Sequence, residues 1–223
     1  MPRHRSSLQS PARTCDPQLL AQRAGFRVIA GVDEAGRGPW AGPVVSAAVV
    51  LHAARLPVRI DDSKKLSPLQ RERAFAVILQ SADVGVGIVS AEFIDRVNIL
   101  QATLHTMQQA VAELRTPPDL VLVDGSITPP LSVPCWPVIG GDACSYVISC
   151  ASIVAKVVRD RLMAFYHRLY PSYQFAAHKG YGTPVHTETL RQWGPSLLHR
   201  YTFAPVAAAE MLARPNELTR VLP

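Results

Sequence analysis

Asp33, Glu34, Asp124 and Asp160 are the acids whose placement could do chemistry. The first two close an alternating apolar segment, the third closes a continuous apolar run, and the last rides on a long helical pattern. Carboxylates held within a few ångströms repel one another, and burial raises their pKa values further. A hard divalent cation relieves both, and magnesium keeps waters or substrate phosphates in its shell. Two such ions about 3.5 to 4 Å apart can orient a hydroxide and stabilise the leaving oxygen of an in-line displacement. The expected chemistry is phosphodiester hydrolysis without a covalent enzyme intermediate. Each acid also has a plain structural reading. Asp33 with Glu34 reads as a solvated turn, Asp124 before Gly125 as a turn dipeptide, and Asp160 as the i,i+4 ion-pair partner of Lys156. The constellation, more than any member, singles them out.

Directly after the acidic pair come Gly36, Arg37 and Gly38. Two positions without side chains let the backbone approach a ligand closely, and the arginine supplies a phosphate fork. A strand followed by G-x-G-x-x-A, with Ala41 third and acids at Asp61 and Asp62, also fits a dinucleotide fingerprint. That rival fails on context, because the fingerprint must open a helix, whereas Pro39, Pro43 and a valine-rich extended run follow here.

The elements that must hold these residues are legible in outline. Residues 27–33 alternate as a strand, and residues 44–51 form a second, so a short link between them predicts an antiparallel hairpin. Ser67, Pro68 and Gln70 make a capping-box helix start, with the helix ending near Leu79. Residues 84–89 are expected as a third strand and 100–114 as a helix stopped by Pro117 and Pro118. The run 120–123 reads as a strand covered on both faces, ending at Asp124. Val147, Ala151, Val154, Val158, Leu162 and Phe165 recur at helical steps, predicting one amphipathic helix over 144–169. Thr183, Pro184 and Gly194 bracket a short helix with Val185, Thr189 and Trp193 on one side. A hairpin followed by alternating strands and helices argues an α/β fold on a mixed central sheet. Residues 1–15 read as a flexible basic arm, 16–210 as one catalytic domain and 211–223 as a tail.

The composition sets limits. Twenty-three Lys and Arg against seventeen Asp and Glu give a formal charge of +6, which attracts polyanions. The longest apolar stretch falls far short of the ~20 residues a membrane span needs, so no membrane is expected. Cys15, Cys135, Cys144 and Cys150 form no C-x-x-C pair, and without a secretory segment they read as reduced thiols of a cytoplasmic protein. With no extra apolar stripe demanding a partner, a monomer is expected.

Several separated motifs, in order, resemble bacterial ribonuclease HII: GVDEAGRGPWAGPVVSAAVVL from Gly31, DDSKKLS from Asp61, VDGS from Val123, SCASIVAKVVRD from Ser149, HKGYGTPVH from His178 and FAPV from Phe203. The resemblance implies a ribonuclease H-like fold with C-terminal helices, a Mn2+ or Mg2+ cofactor, and an RNA:DNA hybrid or ribonucleotide-containing duplex DNA as partner. Cleavage would leave a 5′-phosphate and a 3′-hydroxyl. Asp33, Glu34, Asp124 and Asp160 match the family's metal-binding quartet. Gly36, Arg37 and Gly38 match the loop that recognises the ribose at an RNA to DNA junction, where the 2′-hydroxyl separates RNA from DNA. Tyr181 resembles the tyrosine that packs against the DNA-side sugar. Ser63, Lys64 and Lys65 resemble the phosphate-gripping stretch, whereas Lys156 either grips a phosphate or pairs with Asp160. One departure stands out: Gly140, Gly141 and Asp142 replace the common Lys-Gly-Asp, removing an expected basic contact. A type 1 ribonuclease H or a Holliday junction resolvase would share clustered carboxylates but not this loop with a distant HKGYG. A hybrid-binding protein without catalysis would bind without divalent ions and cut nothing.

Overall fold

The computed structural model describes residues 16–213. The proposed arm, with Cys15, and the tail from residue 214 lie outside the described residues. Five strands build one mixed sheet in the order β3-β2-β1-β4-β5, with β1 Ile29–Ala35, β2 Val44–Leu51, β3 Ala82–Val89, β4 Leu120–Asp124 and β5 Cys135–Val138. The helices are α1 Pro17–Arg23, α2 Pro68–Ser81, α3 Ala91–Val97, α4 Ile99–Ala112, α5 Gly141–Cys144, α6 Tyr146–Leu169, α7 Phe175–His178, α8 Pro184–Trp193 and α9 Ala204–Ala213.

The expected hairpin forms, with β1 antiparallel to β2. Its first strand has the expected length but lies two residues later than 27–33, because Glu34 and Ala35 still pair with Ser46 and Val45. On the other side β1 runs parallel to β4, in a register that pairs Val32 with Val123. One step further along that register stand Asp33 and Asp124.

Strand pleat decides which way each side chain faces. Ile29, Leu120 and Leu122 join one core with α6 and α2, through Val147, Ala151, Val154, Phe75 and Ile78. Ala30, Val32, Val121 and Val123 join a second core with Met107 and Ala110 of α4. Burying each such Val, Leu or Ile stabilises by about 1.5–3 kcal/mol relative to exposure, so the register is strongly held. Continuing the alternation puts Asp33 and Asp124 on the α6 side and Glu34 on the α4 side. At Gly31 a Cβ would collide with the backbone of Val147 and Ile148, so α6 lies directly against β1.

Ser67 and Gln70 form the expected capping box at α2. Other elements depart from the pattern. A separate helix, α3, precedes the one expected over 100–114, which is α4, and Asn98, at φ +69°, ends the first and caps the second. Strand β5 is short and contains Pro137, which hides it from a periodicity reading. The predicted helix over 144–169 breaks at Ser145, which is extended, and restarts at Tyr146. Its first half is buried nearly all round, whereas Phe165 is exposed, because the helix outruns the sheet. On α8 the buried face carries His186, Thr189 and Leu190, while Val185 and Trp193 face outward. Helix α9 continues to Ala213 and so takes in the first three residues of the expected tail.

Candidate active site

At the carboxyl ends of β1 and β4 a cleft of about 340 Å³ opens between the sheet and α6. Asp33, Glu34, Gly36, Arg37, Gly38, Ser63, Lys64, Asp124, Lys156 and Tyr181 line it, together with Ser152. Ten of the twelve residues expected at the site therefore come together. Lys65 stands off, with its Nζ 3.6 Å from Asp61. Asp160 is two turns beyond Ser152 on α6, about 12 Å along the axis at 1.5 Å per residue, and its carboxylate takes a 2.7 Å bond from Lys156 Nζ.

Asp33 is buried, and its carboxylate accepts from its neighbour's amide, Glu34 N, at 2.7 Å and from the Ser152 hydroxyl. Burial, and then the charges of Glu34 and Asp124, hold its pKa well above the usual carboxylate range. Burial also raises Glu34, with Asp124 adding to the shift and Arg37 opposing it from 3.4 Å. Asp124 is raised by burial and by the charge of Asp142, although Gly141 N donates to its Oδ1 at 2.7 Å. Carboxylate oxygens of Asp33, Asp124 and Asp142 all lie within 4.8 Å of one another. Three hard oxygen donors crowded this way, in a pocket that penalises their charge, suit a divalent cation.

Asp142 carries a role the sequence reading did not give it. It accepts from Lys64 Nζ at 3.0 Å, and that bond raises the lysine's pKa. The preceding Gly140 is left-handed, at φ +66°, and a Cβ there would meet open space. Ser152 is likewise not among the residues the sequence singles out, although Ser152, Lys156 and Asp160 recur at i, i+4 and i+8 and so share one face of α6.

The loop after β1 is braced from within by Arg200, which is fully buried and donates to the carbonyls of Gly36 at 2.5 Å, Arg37 at 2.8 Å and Gly42 at 3.0 Å. Arg159, also buried, donates to Ala41, Pro43 and Lys179 carbonyls. Neither arginine stands out in the sequence, because nothing in its local pattern marks a charged residue for burial.

The profile of the Ribonuclease HII family matches residues 30–206. This chain belongs to the ribonuclease HII family. Curated members from Chlamydia muridarum and Geobacter sulfurreducens are each 52% identical to it, over 83% and 86% of this chain and 86% and 88% of theirs. Ribonuclease HII enzymes are endoribonucleases that cleave RNA in RNA:DNA hybrids. Among solved structures, ribonuclease H2 from Pyrococcus horikoshii OT3 superposes with a TM-score of 0.72 at 28% identity, covering 84% of this chain and 99% of that one. The Archaeoglobus fulgidus enzyme, solved as a PCNA:RNase HII complex, gives 0.68 at 25% identity, over 79% and 95% of the two chains. The expected ribonuclease H-like α/β fold is therefore the fold of this chain. No described helix is long and apolar enough to cross a membrane.

Proposed function

We propose that residues 16–210 form a metal-dependent endoribonuclease domain that hydrolyses the RNA strand of RNA:DNA hybrids and cuts 5′ of ribonucleotides embedded in duplex DNA. The products carry 5′-phosphate and 3′-hydroxyl ends. The observation that carries this reading is the placing of Asp33 and Asp124 side by side at the ends of parallel strands, within one cleft with the glycine loop and Tyr181.

Asp33, Glu34, Asp124 and Asp160 are the proposed metal ligands, with Asp142 close enough to join them. A bound Mg2+ or Mn2+ would supply an activated water and stabilise charge on the leaving oxygen. The chain's own groups do the rest. Asp160 accepts from Lys156, and a phosphate arriving at Lys156 would compete for that ammonium and release the carboxylate. With the Gly36 and Arg37 carbonyls tied down by Arg200, the loop offers its N–H edge and the Arg37 fork outward. That edge reads the ribose, whose 2′-hydroxyl distinguishes RNA from DNA. Tyr181, 44% exposed, stands at the mouth of the cleft to pack against the following deoxyribose. Ser63, Lys64 and Lys65 flank the path of the backbone, where lysines position a strand without reading its sequence.

The test is cleavage of a labelled DNA duplex containing one ribonucleotide, beside an all-DNA control, with Mg2+, Mn2+ or chelator. A metal-dependent cut on the 5′ side of the ribonucleotide supports the reading. Digestion of long hybrids alone would point to type 1 specificity, and binding without any cut would leave a hybrid-binding protein.

A further inference from the structure

Behind the Tyr181 loop three histidines are packed out of solvent. His178 and His186 stack with ring centroids 4.3 Å apart, and His186 Nε2 meets His199 Nε2 at 3.0 Å. His186 and His199 are 0% and 1% exposed. The catalytic reading uses none of them.

Their proton positions follow from the backbone. An amide N–H can only donate, so Ser196 N, 2.9 Å from His199 Nδ1, fixes that nitrogen as an acceptor. The neutral ring then carries its proton on Nε2 and donates to His186 Nε2. That leaves the His186 proton on Nδ1, pointing at the Tyr181 carbonyl 2.9 Å away. The same logic applies to His178, which accepts from Gly180 N at 3.1 Å through Nδ1 and donates from Nε2 to the Tyr173 carbonyl at 2.7 Å. Every polar ring atom is used, and only one set of tautomers uses them all. A charged His186 would set two N–H groups against each other across the 3.0 Å contact. Burial also favours the neutral rings, holding His186 down at about 4 and His199 at about 3.

We propose that Ser196, His199 and His186 form a one-directional hydrogen-bond wire ending on the Tyr181 carbonyl, and that this wire makes His186 a positioning residue for the Tyr181 ring. The proposal rests on the ribonucleotide-cutting reading for its functional consequence, not for its geometry. The rest of the loop is hydrogen-bonded as well: Trp40 N donates to the Gly180 carbonyl at 2.8 Å, and Tyr181 N to the His178 carbonyl at 2.9 Å. A Cβ at Gly182 would strike the Trp40 ring. The carbonyl of Tyr181 also takes Thr183 N at 2.9 Å, closing a tight turn that the His186 donor holds from the inner side.

Two measurements decide it. Long-range 1H–15N spectra of the full chain at pH 7.5 should find neutral rings with protons on His199 Nε2, His186 Nδ1 and His178 Nε2. A proton on His186 Nε2, or a charged ring, overturns the wire. For function, kcat/KM on the single-ribonucleotide duplex with Mg2+ is compared for wild type, His186→Phe, Tyr181→Ala and the double variant. His186→Phe should lose about tenfold, the size of one hydrogen bond, and almost nothing further once Tyr181 is alanine. His186→Asn, whose amide can donate near the place of Nδ1, should recover to within about threefold of wild type. Additive losses, or equal losses in the Phe and Asn variants, would make His186 merely structural and overturn the proposal. A Tyr181→Ala enzyme as active as wild type would overturn it too. A wild type that cuts nothing would instead sink the proposed function, leaving the spectra to decide the wire.

Discussion

Arg159 and Arg200 converge on one acceptor, the carbonyl of Pro43, from 3.1 and 3.3 Å. Two buried guanidiniums are thus spent on backbone carbonyls around the loop beside the acidic cleft. Burial, and then the neighbouring Arg159 charge, pull Arg200 down to about 9, yet it remains charged at neutral pH. Replacing it with methionine leaves the Gly36, Arg37 and Gly42 carbonyls without their donor. Each unsatisfied buried group costs about 1–3 kcal/mol, so Arg200→Met should lower the urea-unfolding free energy by about 3 kcal/mol or more. Cleavage should fall further than the folded fraction does. A loss under about 0.5 kcal/mol would mean the loop is held by something else.

Asp33→Asn removes one charge from a crowded buried set. In metal-free buffer its melting temperature should rise above wild type, because repulsion and desolvation are both relieved. Addition of Mg2+ should then stabilise wild type but barely move the variant, and cleavage should be lost while hybrid binding persists. Calorimetry with and without EDTA, beside a binding titration, checks all three. A variant that still cuts would remove Asp33 from the site.

The buried histidines give a signed pH dependence. Their pKa values in the fold lie below the unfolded value of about 6.5, so the unfolded chain takes up protons first as pH falls. Stability they confer is whole above pH about 6.5. It declines by about 1.4 kcal/mol per pH unit for each ring down toward the folded values, which are about 4 for His186 and about 3 for His199. Urea midpoints between pH 7.5 and 4.5 should therefore fall more steeply in wild type than in His186→Phe. Parallel slopes would contradict the burial argument.

Gly36 sits at φ +101°, and the space a Cβ would need is filled by Arg159 and the Pro43 carbonyl. Gly36→Ala should therefore lose cleavage and stability together, whereas Gly38→Ala, where a Cβ meets only Tyr181 at 3.8 Å, should fold normally. Unfolding curves for the two variants separate these outcomes.

If the excess positive charge of +6 serves backbone contacts, hybrid affinity should fall steeply with salt. The logarithmic slope is about −0.9 for each phosphate neutralised on duplex DNA. Lys64→Ala should flatten it by about one unit in a fluorescence titration, and a flat response in wild type would leave the charge without a role.

Much of this architecture is written locally. The capping box at Ser67, the apolar run into Asp124 and the valines of β2 announce themselves through propensity and periodicity. The glycine loop is equally plain. What stays hidden depends on the third dimension. Asp142 matters because Lys64, distant in sequence, folds over to meet it. Arg200 looks like any surface arginine until Gly36 and Gly42 are brought to it. Helix α8 misleads more directly: its period is right but its facing is not, because His186 is drawn inward by His199 and Tyr181. Polar atoms chose that face, and a hydrophobic pattern does not record them.

Glu34 and Gly36 are two residues apart where β1 leaves the sheet. A nucleotide seated on the loop and a phosphate seated at the acids would thus be tied to one short length of chain. Such a tie would act as a ruler cast in a single piece. In the proposed reading, the distance from the sugar inspected to the bond broken would be set by this short length of chain alone, so a duplex that slid by one nucleotide would lose both contacts together.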